Sequence, residues 1–374
     1  YADLPEPKVF LDFEDQEIRV LFDEDIKGFA KRYVDPNELI FIDEFQYSNE
    51  GGKSLKYLYD HHHKKFVISG SSSLDISLKA VSFLVGRVFA FELYPLSFRE
   101  FLAFREEGLL TLLESSIRSG DRMHESLHAK LMELLEEFSL WGGYPRVATA
   151  ERIAEKKEIL KNIFTTYLLK DIRGFFRLAT ESNMQKLVRA LALQVGNLIR
   201  YNELSALSGL GQHALKNHLA ILEETYVLKL LKPFYTNKRL EITKNPKAYF
   251  MDTGLRNYVC RDFRPLDGRT DQGQLLENFV ATEFVKEGLE FNYWRSKSKS
   301  EVDFIVQAPG GVIPVEVKAS REDKPGRSFF SFIRKYDPPL AYLLYGGKSG
   351  RRQHAGKEIR FLPLYAAHLM DFSS

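Results

Sequence analysis

Four side chains in the last third of the chain have the types and the order that phosphodiester hydrolysis calls for: Glu277, Asp303, Glu316 and Lys318. Glu301-Val302-Asp303-Phe304-Ile305-Val306 reads as a strand with an acid at its inner end, and Gly310-Gly311 turns the chain back into Ile313-Pro314-Val315-Glu316-Val317-Lys318. Period-two alternation puts Glu316 and Lys318 on one face of the second strand and Val317 on the other. A hairpin of this length carries Asp303 close to that face. Two carboxylates, with the backbone between them, can hold a divalent cation through oxygen. A lysine beside them can orient or deprotonate water and steady a pentavalent phosphate. Glu277, within Leu276-Glu277-Asn278 on the preceding helix, completes the set. The competing readings are a surface hairpin with scattered charges and a set of acids kept only as structure.

A second acidic pair lies near the start. Leu39-Ile40-Phe41-Ile42-Asp43-Glu44 is an apolar strand ending in two carboxylates, the form of a Walker B motif. A hard Mg²⁺ ion needs a carboxylate at such a strand end, and the next carboxylate can polarise an attacking water. Apolar strands also end in acids that merely face solvent. No G-x-x-x-x-G-K-[ST] loop is present: Gly51-Gly52-Lys53-Ser54 has Tyr47 where the first glycine belongs, and it follows no strand. We read it as an exposed turn.

These groups need elements to position them. Residues 8–13, 39–42, 66–69 and 88–93 are short apolar runs separated by polar, helix-compatible stretches. They read as four strands of a parallel α/β sheet, with 39–42 buried on both faces. From Ser97 to about Thr180 the period becomes helical, with Leu131, Leu134, Leu135 and Phe138, then Leu160, Ile163, Phe164 and Tyr167, at i, i+3, i+4, i+7. We read this as a helical lid on the α/β module. Residues 184–259 show two short helices about the turn Ser208-Gly209-Leu210-Gly211, then strand-like runs at 227–233 and 247–251: a winged helix. On its second helix Gln212, His213, Lys216 and Asn217 would face DNA, with Lys232, Lys238, Arg239, Lys244 and Lys247 as a basic wing and Glu223 and Glu224 working against phosphate. Packing or oligomerisation is the alternative role. The last part returns to α/β, with a helix near 274–286 and strands at 291–294, 302–306, 312–317 and 340–344.

Asp43-Glu44-Phe45-Gln46, Ser69-Gly70-Ser71-Ser72-Ser73, Gly86-Arg87 and Leu93-Tyr94-Pro95-Leu96-Ser97-Phe98-Arg99-Glu100-Phe101 occur in this order. Together they closely resemble a large family of bacterial and archaeal AAA-type ATPases with a C-terminal domain of unassigned function, and the resemblance covers essentially the whole chain. It implies Asp43 as the Mg²⁺ residue, Glu44 as the catalytic carboxylate, Ser69 or Ser71 as the sensor of the γ-phosphate, and Arg87 as an arginine finger or a structural residue. In that family the phosphate loop precedes the strand that is here 8–13, and its strand lies mid-sheet. The chain opens at Tyr1 rather than Met. We therefore expect the natural protein to have an N-terminal strand, loop and helix absent from this sequence, which as it stands should bind ATP weakly. The order Glu277, Asp303, Glu316-x-Lys318 resembles the PD-(D/E)XK nuclease superfamily, with Val302 in place of the usual proline. The resemblance implies a metal held by Asp303 and Glu316.

The expected fold class is thus α/β: a P-loop AAA-type sheet lacking its first strand and loop, with helical lid (1–180), a winged helix (181–259) and a restriction-endonuclease-like domain (260–374). The expected function is an ATP-regulated, metal-dependent nucleic-acid enzyme using ATP and Mg²⁺ or Mn²⁺; the rival is a non-catalytic switch that uses the nuclease-like fold as a platform. DNA is the expected partner, with a second copy or another protein as alternatives. Basic residues flank the second site, Arg295, Lys297 and Lys299 before it and Arg321, Lys324 and Arg327 after it, and could hold a phosphate backbone. The net charge of +2 leaves any such binding to local patches, and the lone Cys260 excludes a disulfide framework or thiolate cluster and fits a cytoplasmic setting. No apolar run approaches the roughly 18–20 residues of a membrane helix. Three lesser signals are set aside: His61-His62-His63 as a solvated loop, Phe98, Phe101 and Phe104 as core, and Tyr249-Phe250-Met251-Asp252-Thr253-Gly254-Leu255, which resembles the same ATPase family, as the wing strand and its exit turn without assigned chemistry.

Overall fold

The computed structural model describes residues 7–49, 51–70, 83–84, 86–120, 123–171 and 181–372. Two compact units make up the chain, Tyr1–Leu93 and Tyr94–Ser374.

In the first unit β1 (Lys8–Asp12), β2 (Leu39–Asp43) and β3 (Lys65–Ile68) form a parallel sheet in that order, joined by α1 (Gln16–Glu24), α2 (Ile26–Phe29) and α3 (Gly51–His62). Asp15 starts α1 by accepting from the amides of Glu17 and Ile18. Ile40 and Ile42 of β2 point into a core with Phe13, Phe22, Phe29 and Phe45, whose rings Phe13–Phe22 and Phe22–Phe29 sit 4.9 Å apart. The other face of β2 is less covered: Phe41 is half-buried, and its register neighbours Phe10 and Val67 are 52 and 44% exposed. On that face Leu39 is buried, so β2 is covered on both sides but less completely on this one.

Three expectations change here. Residues 88–93 join no strand pair among the described residues, and Phe89, Phe91 and Leu93 are 88, 92 and 98% exposed. The alternation is that of a strand, but a strand exists only with a hydrogen-bonding neighbour. Gly51-Gly52-Lys53-Ser54 is not an exposed turn: it begins α3, with Gly51 packed so closely that a Cβ would stand 2.8 Å from the Phe45 ring. His61 and His62 end α3 instead of lying in a loop; their Nδ1 atoms meet Tyr57 O at 2.9 Å and Asp35 Oδ1 at 2.7 Å.

The second unit begins with helices α4 (Phe98–Ser119), α5 (Glu125–Trp141), α6 (Pro145–Thr149) and α7 (Ile153–Asn162). Expected as a lid or bundle of the first module, they group with the compact unit Tyr94–Ser374. Ser97 and Glu100 form a capping box that starts α4. Phe98 and Phe101 are buried, whereas Phe104 is 58% exposed and leaves the expected core row. Next come α8 (Glu181–Leu193), α9 (Tyr201–Ser208) and α10 (Gln212–Glu224), turning at Gly209 in the left-handed region (φ 74°). The antiparallel pair β4 (Leu228–Leu231) and β5 (Lys247–Phe250) follows, with α11 (Lys238–Thr243) between its strands. Asp252 then caps α12 (Thr253–Cys260) and accepts from Gly143 N at 2.7 Å. Gly254 lies so close to α5 that a Cβ would stand 1.9 Å from Trp141 O. The family-matching Asp252-Thr253-Gly254 is thus a joint between α5 and α12.

The C-terminal layer is a six-stranded mixed sheet in the order β10-β11-β9-β8-β7-β6, from β6 (Phe291–Arg295), β7 (Glu301–Ala308), β8 (Gly311–Lys318), β9 (Leu340–Tyr345), β10 (Gly350–His354) and β11 (Lys357–Pro363). Helix α13 (Gln272–Lys286) contributes Phe279, Val280 and Phe284 to the core that Phe304, Val315 and Tyr342 line. Helix α14 (Arg327–Tyr336) places Phe329, Phe332 and Ile333 in a separate core with Ile305, Ala341 and Leu343. At its far end α13 is tied to the start of α4, where Glu283 accepts from Phe98 N at 3.0 Å and Lys286 donates to Leu96 O at 2.9 Å. The Leu96-Ser97-Phe98 signature therefore fastens the helices to the sheet domain. Among the described residues no helix is long and apolar enough to cross a membrane.

Candidate functional site

Asp43 ends β2, and Ser69 lies one residue past the end of the neighbouring β3. The parallel register brings them together: Ser69 Oγ donates to Asp43 Oδ1 at 2.6 Å, and Glu44 N donates to the same oxygen at 3.0 Å. Glu44 takes a left-handed backbone (φ 52°), a conformation that favours glycine, and its carboxylate accepts from the Gln46 amide. Arg87 is held elsewhere, its Nε 3.3 Å from Asp60 Oδ1. Ser71 lies outside the described residues.

The C-terminal constellation is denser. Glu316 is 6% exposed; its Oε1 meets Lys318 Nζ at 2.7 Å, and both of its oxygens accept from Gly326 N, the cap of α14, at 3.1 and 3.2 Å. Asp303 Oδ2 accepts from Val317 N at 2.8 Å, across the hairpin. A bulge aims it there. Between the pairs Asn292–Ile305 and Trp294–Val302, β6 advances by Tyr293 alone while β7 advances by Asp303 and Phe304. An extra residue of this kind re-aims a side chain, and simple alternation along a strand does not foresee it. Burial, then the negative charge of Glu277, pushes the Asp303 carboxyl up to about 7; Lys247 and the Val317 amide only partly oppose this. Burial alone would lower the Lys318 ammonium, but its hydrogen bond to Glu316 and the surrounding acids hold it above its usual range.

Glu277 is engaged from another direction. Its Oε1 accepts from Lys247 Nζ at 2.9 Å and from the Tyr249 hydroxyl at 2.5 Å, while its Oε2 lies over Gly196, 3.6 Å from where a Cβ would stand. Lys247 also meets Glu301 Oε1 at 2.6 Å, and Arg295 reaches the other oxygen of Glu301 at 3.4 Å. Lys247 is 2% exposed, which corrects its place on a basic wing edge: it is an internal ammonium that faces acids of the sheet domain. Burial would lower it, but Glu277, Asp303 and Glu301 raise it instead. The next residue of α13, Asn278, exchanges both backbone hydrogen bonds of Phe250, at 2.7 and 2.8 Å. Tyr249 and Glu301 are functional candidates that sequence reasoning passed over, and Lys247 is one that it placed on the wrong surface. The family match at Tyr249 was the signal that could have found one of them.

The expected basic flank remains available. Lys297, Lys299, Arg321, Lys324 and Arg327 are exposed. On α10, Gln212, His213, Lys216 and Asn217 are exposed, as are Lys232, Arg239 and Lys244. Glu223 turns back to accept from Leu230 N at 3.0 Å, so one of the two opposing acids is occupied by the hairpin.

Oxygen donors of this kind suit a hard divalent cation. The full acidic triad does not fit as a ligand set, since among the described residues no three His, Cys, Asp or Glu side chains converge into a metal-binding group. Glu277 is turned to Lys247 and Tyr249 instead.

Residues 2–102 match an AAA domain, 132–270 a domain of unknown function (DUF8612) and 272–366 another (DUF4143). The first and last of these support an AAA-type ATPase family, and the AAA match carries nucleotide binding as its implied property. The chain is 25% identical to an uncharacterized protein of Haemophilus influenzae over 74% of its own length and 64% of that protein's. It is also 25% identical to an uncharacterized protein of Methanocaldococcus jannaschii, over 80% of its length and 65% of the relative's. A Mycobacterium tuberculosis protein, again uncharacterized, matches at 25% over 85% of the chain and 69% of the relative. The chain thus spans slightly under two thirds of the first two relatives.

Proposed function

We propose that this chain is an ATP-regulated, metal-dependent nucleic-acid enzyme in which an AAA-type module governs a phosphodiester-cleaving site on the C-terminal sheet. The observation that carries this reading is the meeting of Asp303, Glu316 and Lys318, with the Asp303 carboxyl pushed up to about 7 by burial and neighbouring acids. A carboxyl perturbed by burial and a specific charged neighbour marks a candidate functional site. A divalent cation bound there would supply Lewis-acid polarisation of a scissile phosphate. Asp303 and Glu316 would hold it, with Lys318 close enough to orient water and offset charge developing on the phosphate. Lys297, Lys299, Arg321, Lys324 and Arg327 would hold the backbone of DNA, and the α9–α10 pair with its β4–β5 hairpin would act as a winged helix positioning it.

In the first unit Asp43 would hold Mg²⁺ of a bound nucleotide, Glu44 would polarise water, and Ser69, with Ser71, would sense the γ-phosphate. Arg87 could act as a finger only after leaving Asp60.

A second reading also has an observation in its favour. Glu277 spends its Oε1 on Lys247 and Tyr249, as a nuclease-like fold serving only as a platform would allow. The two readings separate on cleavage of plasmid and single-stranded DNA with Mg²⁺ or Mn²⁺, comparing this chain with Lys318→Ala. Cleavage by the parent and not the variant supports the enzyme. No cleavage by this chain, nor by the natural full-length protein with ATP, would sink it and leave the switch.

A further inference from the structure

The buried lysine of β5 bridges Glu277 and Glu301 beside Asp303. We propose that the C-terminal site takes a single divalent cation, at Asp303 and Glu316, because the ammonium of Lys247 permanently holds the position beside Glu277. This rests on the metal-dependent reading above and adds the number of ions and the residue that sets it.

The geometry argues as follows. A carboxylate oxygen has two lone pairs. On Glu277 Oε1 these face Lys247 Nζ at 2.9 Å and the Tyr249 hydroxyl at 2.5 Å, and its other oxygen lies over Gly196. Lys247 also binds Glu301 at 2.6 Å and is sealed from solvent. It is therefore a resident cation shared by two acids, as a bridging metal would be. On the other side of Asp303, Glu316 keeps one ammonium, that of Lys318. Glu277, Glu301, Asp303 and Glu316 thus face two lysines, with Arg295 at the rim of Glu301. The acid left without an ammonium of its own is Asp303. An incoming cation is drawn there, next to Glu316, where Lys318 can swing outward because it is 39% exposed. Lys247 has no such exit. It is fixed by β5, whose backbone is tied to α13 through Asn278 and to the preceding segment through Gly196 N–Ala248 O at 3.0 Å and Ile199 N–Pro246 O at 2.8 Å.

The test counts bound Mn²⁺ by titration calorimetry and by the electron paramagnetic resonance signal of the free ion, without nucleotide. The full chain carries Asp43→Asn throughout, so that the first unit contributes no site. We expect one ion per chain, none after Asp303→Asn, and a second ion after Lys247→Gln, which frees Glu277 and Glu301. Two ions in the parent would overturn the inference while leaving the metal reading intact. One ion in both the parent and Lys247→Gln would do the same. No ion in either would remove the metal reading itself, and the inference with it. If Lys247→Gln does not fold, Lys247→Gln/Glu277→Gln replaces it, because the pair is then neutral on both sides. That double variant should keep one ion with a Kd within about threefold of the parent, a change of roughly 0.65 kcal/mol. Loss of that ion would make Glu277 a ligand and overturn the inference.

Discussion

In the first unit Asp43 stands half-exposed at a strand end, bound by a serine hydroxyl and a backbone amide, and among the described residues no ammonium or guanidinium pairs with it. In the second, Glu277 and Glu316 are each bound by a lysine ammonium, and Asp303 is raised by burial and then by Glu277. Water can carry the charge of Asp43, which is half-exposed. The second set is largely enclosed, with Glu316 and Lys247 buried, and burying unpaired carboxylates costs several kcal/mol, so the fold supplies lysines. An exposed acidic site therefore leaves little trace in stability. An enclosed one must be part of the fold, and its mutants report both functions at once.

The largest expected effect tests that distinction. Lys247→Met leaves Glu277 and Glu301 buried without their ammonium, and we expect about 3–5 kcal/mol of destabilisation in urea unfolding. Lys247→Met/Glu277→Gln should recover most of it. A loss under about 1 kcal/mol in the single variant would mean that water reaches the site and that the two regions do not differ. Next in size, Lys318→Ala should lower DNA cleavage on the order of 100-fold, equivalent to about 2.7 kcal/mol of barrier. Its stability should fall by less than about 1 kcal/mol, because Glu316 keeps the Gly326 amide. A stability loss as large as that of Lys247→Met would identify Lys318 as a second structural lysine.

How much of this could be read beforehand differs between the same two regions. A strand ending in Asp43-Glu44 and a hairpin carrying Asp303 and Glu316-x-Lys318 are local patterns, in which spacing alone places the groups on one edge or face. Lys247 and Glu277 are separated by 30 residues, so only tertiary folding joins them. Lys247 also sits among Lys238, Arg239 and Lys244, where its charge reads as part of a solvated edge. The bulge at Asp303 is equally silent, since an extra residue shows only against its partner strand. In the first unit the error ran the other way. Residues 88–93 have the alternation of a strand, but periodicity cannot tell that no described strand pairs with them.

A pH series sharpens the contrast more finely. Asp303 sits at about 7 in the folded protein against roughly 3.9 unfolded, so between those values the folded state holds the proton that the unfolded chain gives up. Its contribution to stability is therefore fully present below about pH 4 and is lost as pH rises through 7. Other buried acids share this direction, among them Asp252 and Glu283, so the informative quantity is the difference between parent and Asp303→Asn. That difference should change by about 1–2 kcal/mol from pH 5 to pH 8, less than the full gap in pKa implies, because Glu277 and Glu316 act on the same proton. A flat difference would place Asp303 in contact with bulk water and remove the charge surplus on which the cation site depends.

The smallest effect belongs to the exposed pair. Asp43→Asn keeps the acceptor for the Ser69 hydroxyl and the Glu44 amide, and it removes a like charge from beside Asp12, its register partner on β1. Adjacent like charges on paired strands are unfavourable by a few tenths of a kcal/mol. We expect Asp43→Asn to leave stability unchanged or raise it by up to about 0.5 kcal/mol, measured by urea unfolding at low salt, where the repulsion is least screened. The gain should shrink in about 0.5 M salt. A loss above about 1.5 kcal/mol would show instead that the carboxylate itself is needed to close the β2–β3 strand ends. Asp43 would then be structural, and the open charge that makes this strand end a candidate for Mg²⁺ would no longer distinguish it from the enclosed site.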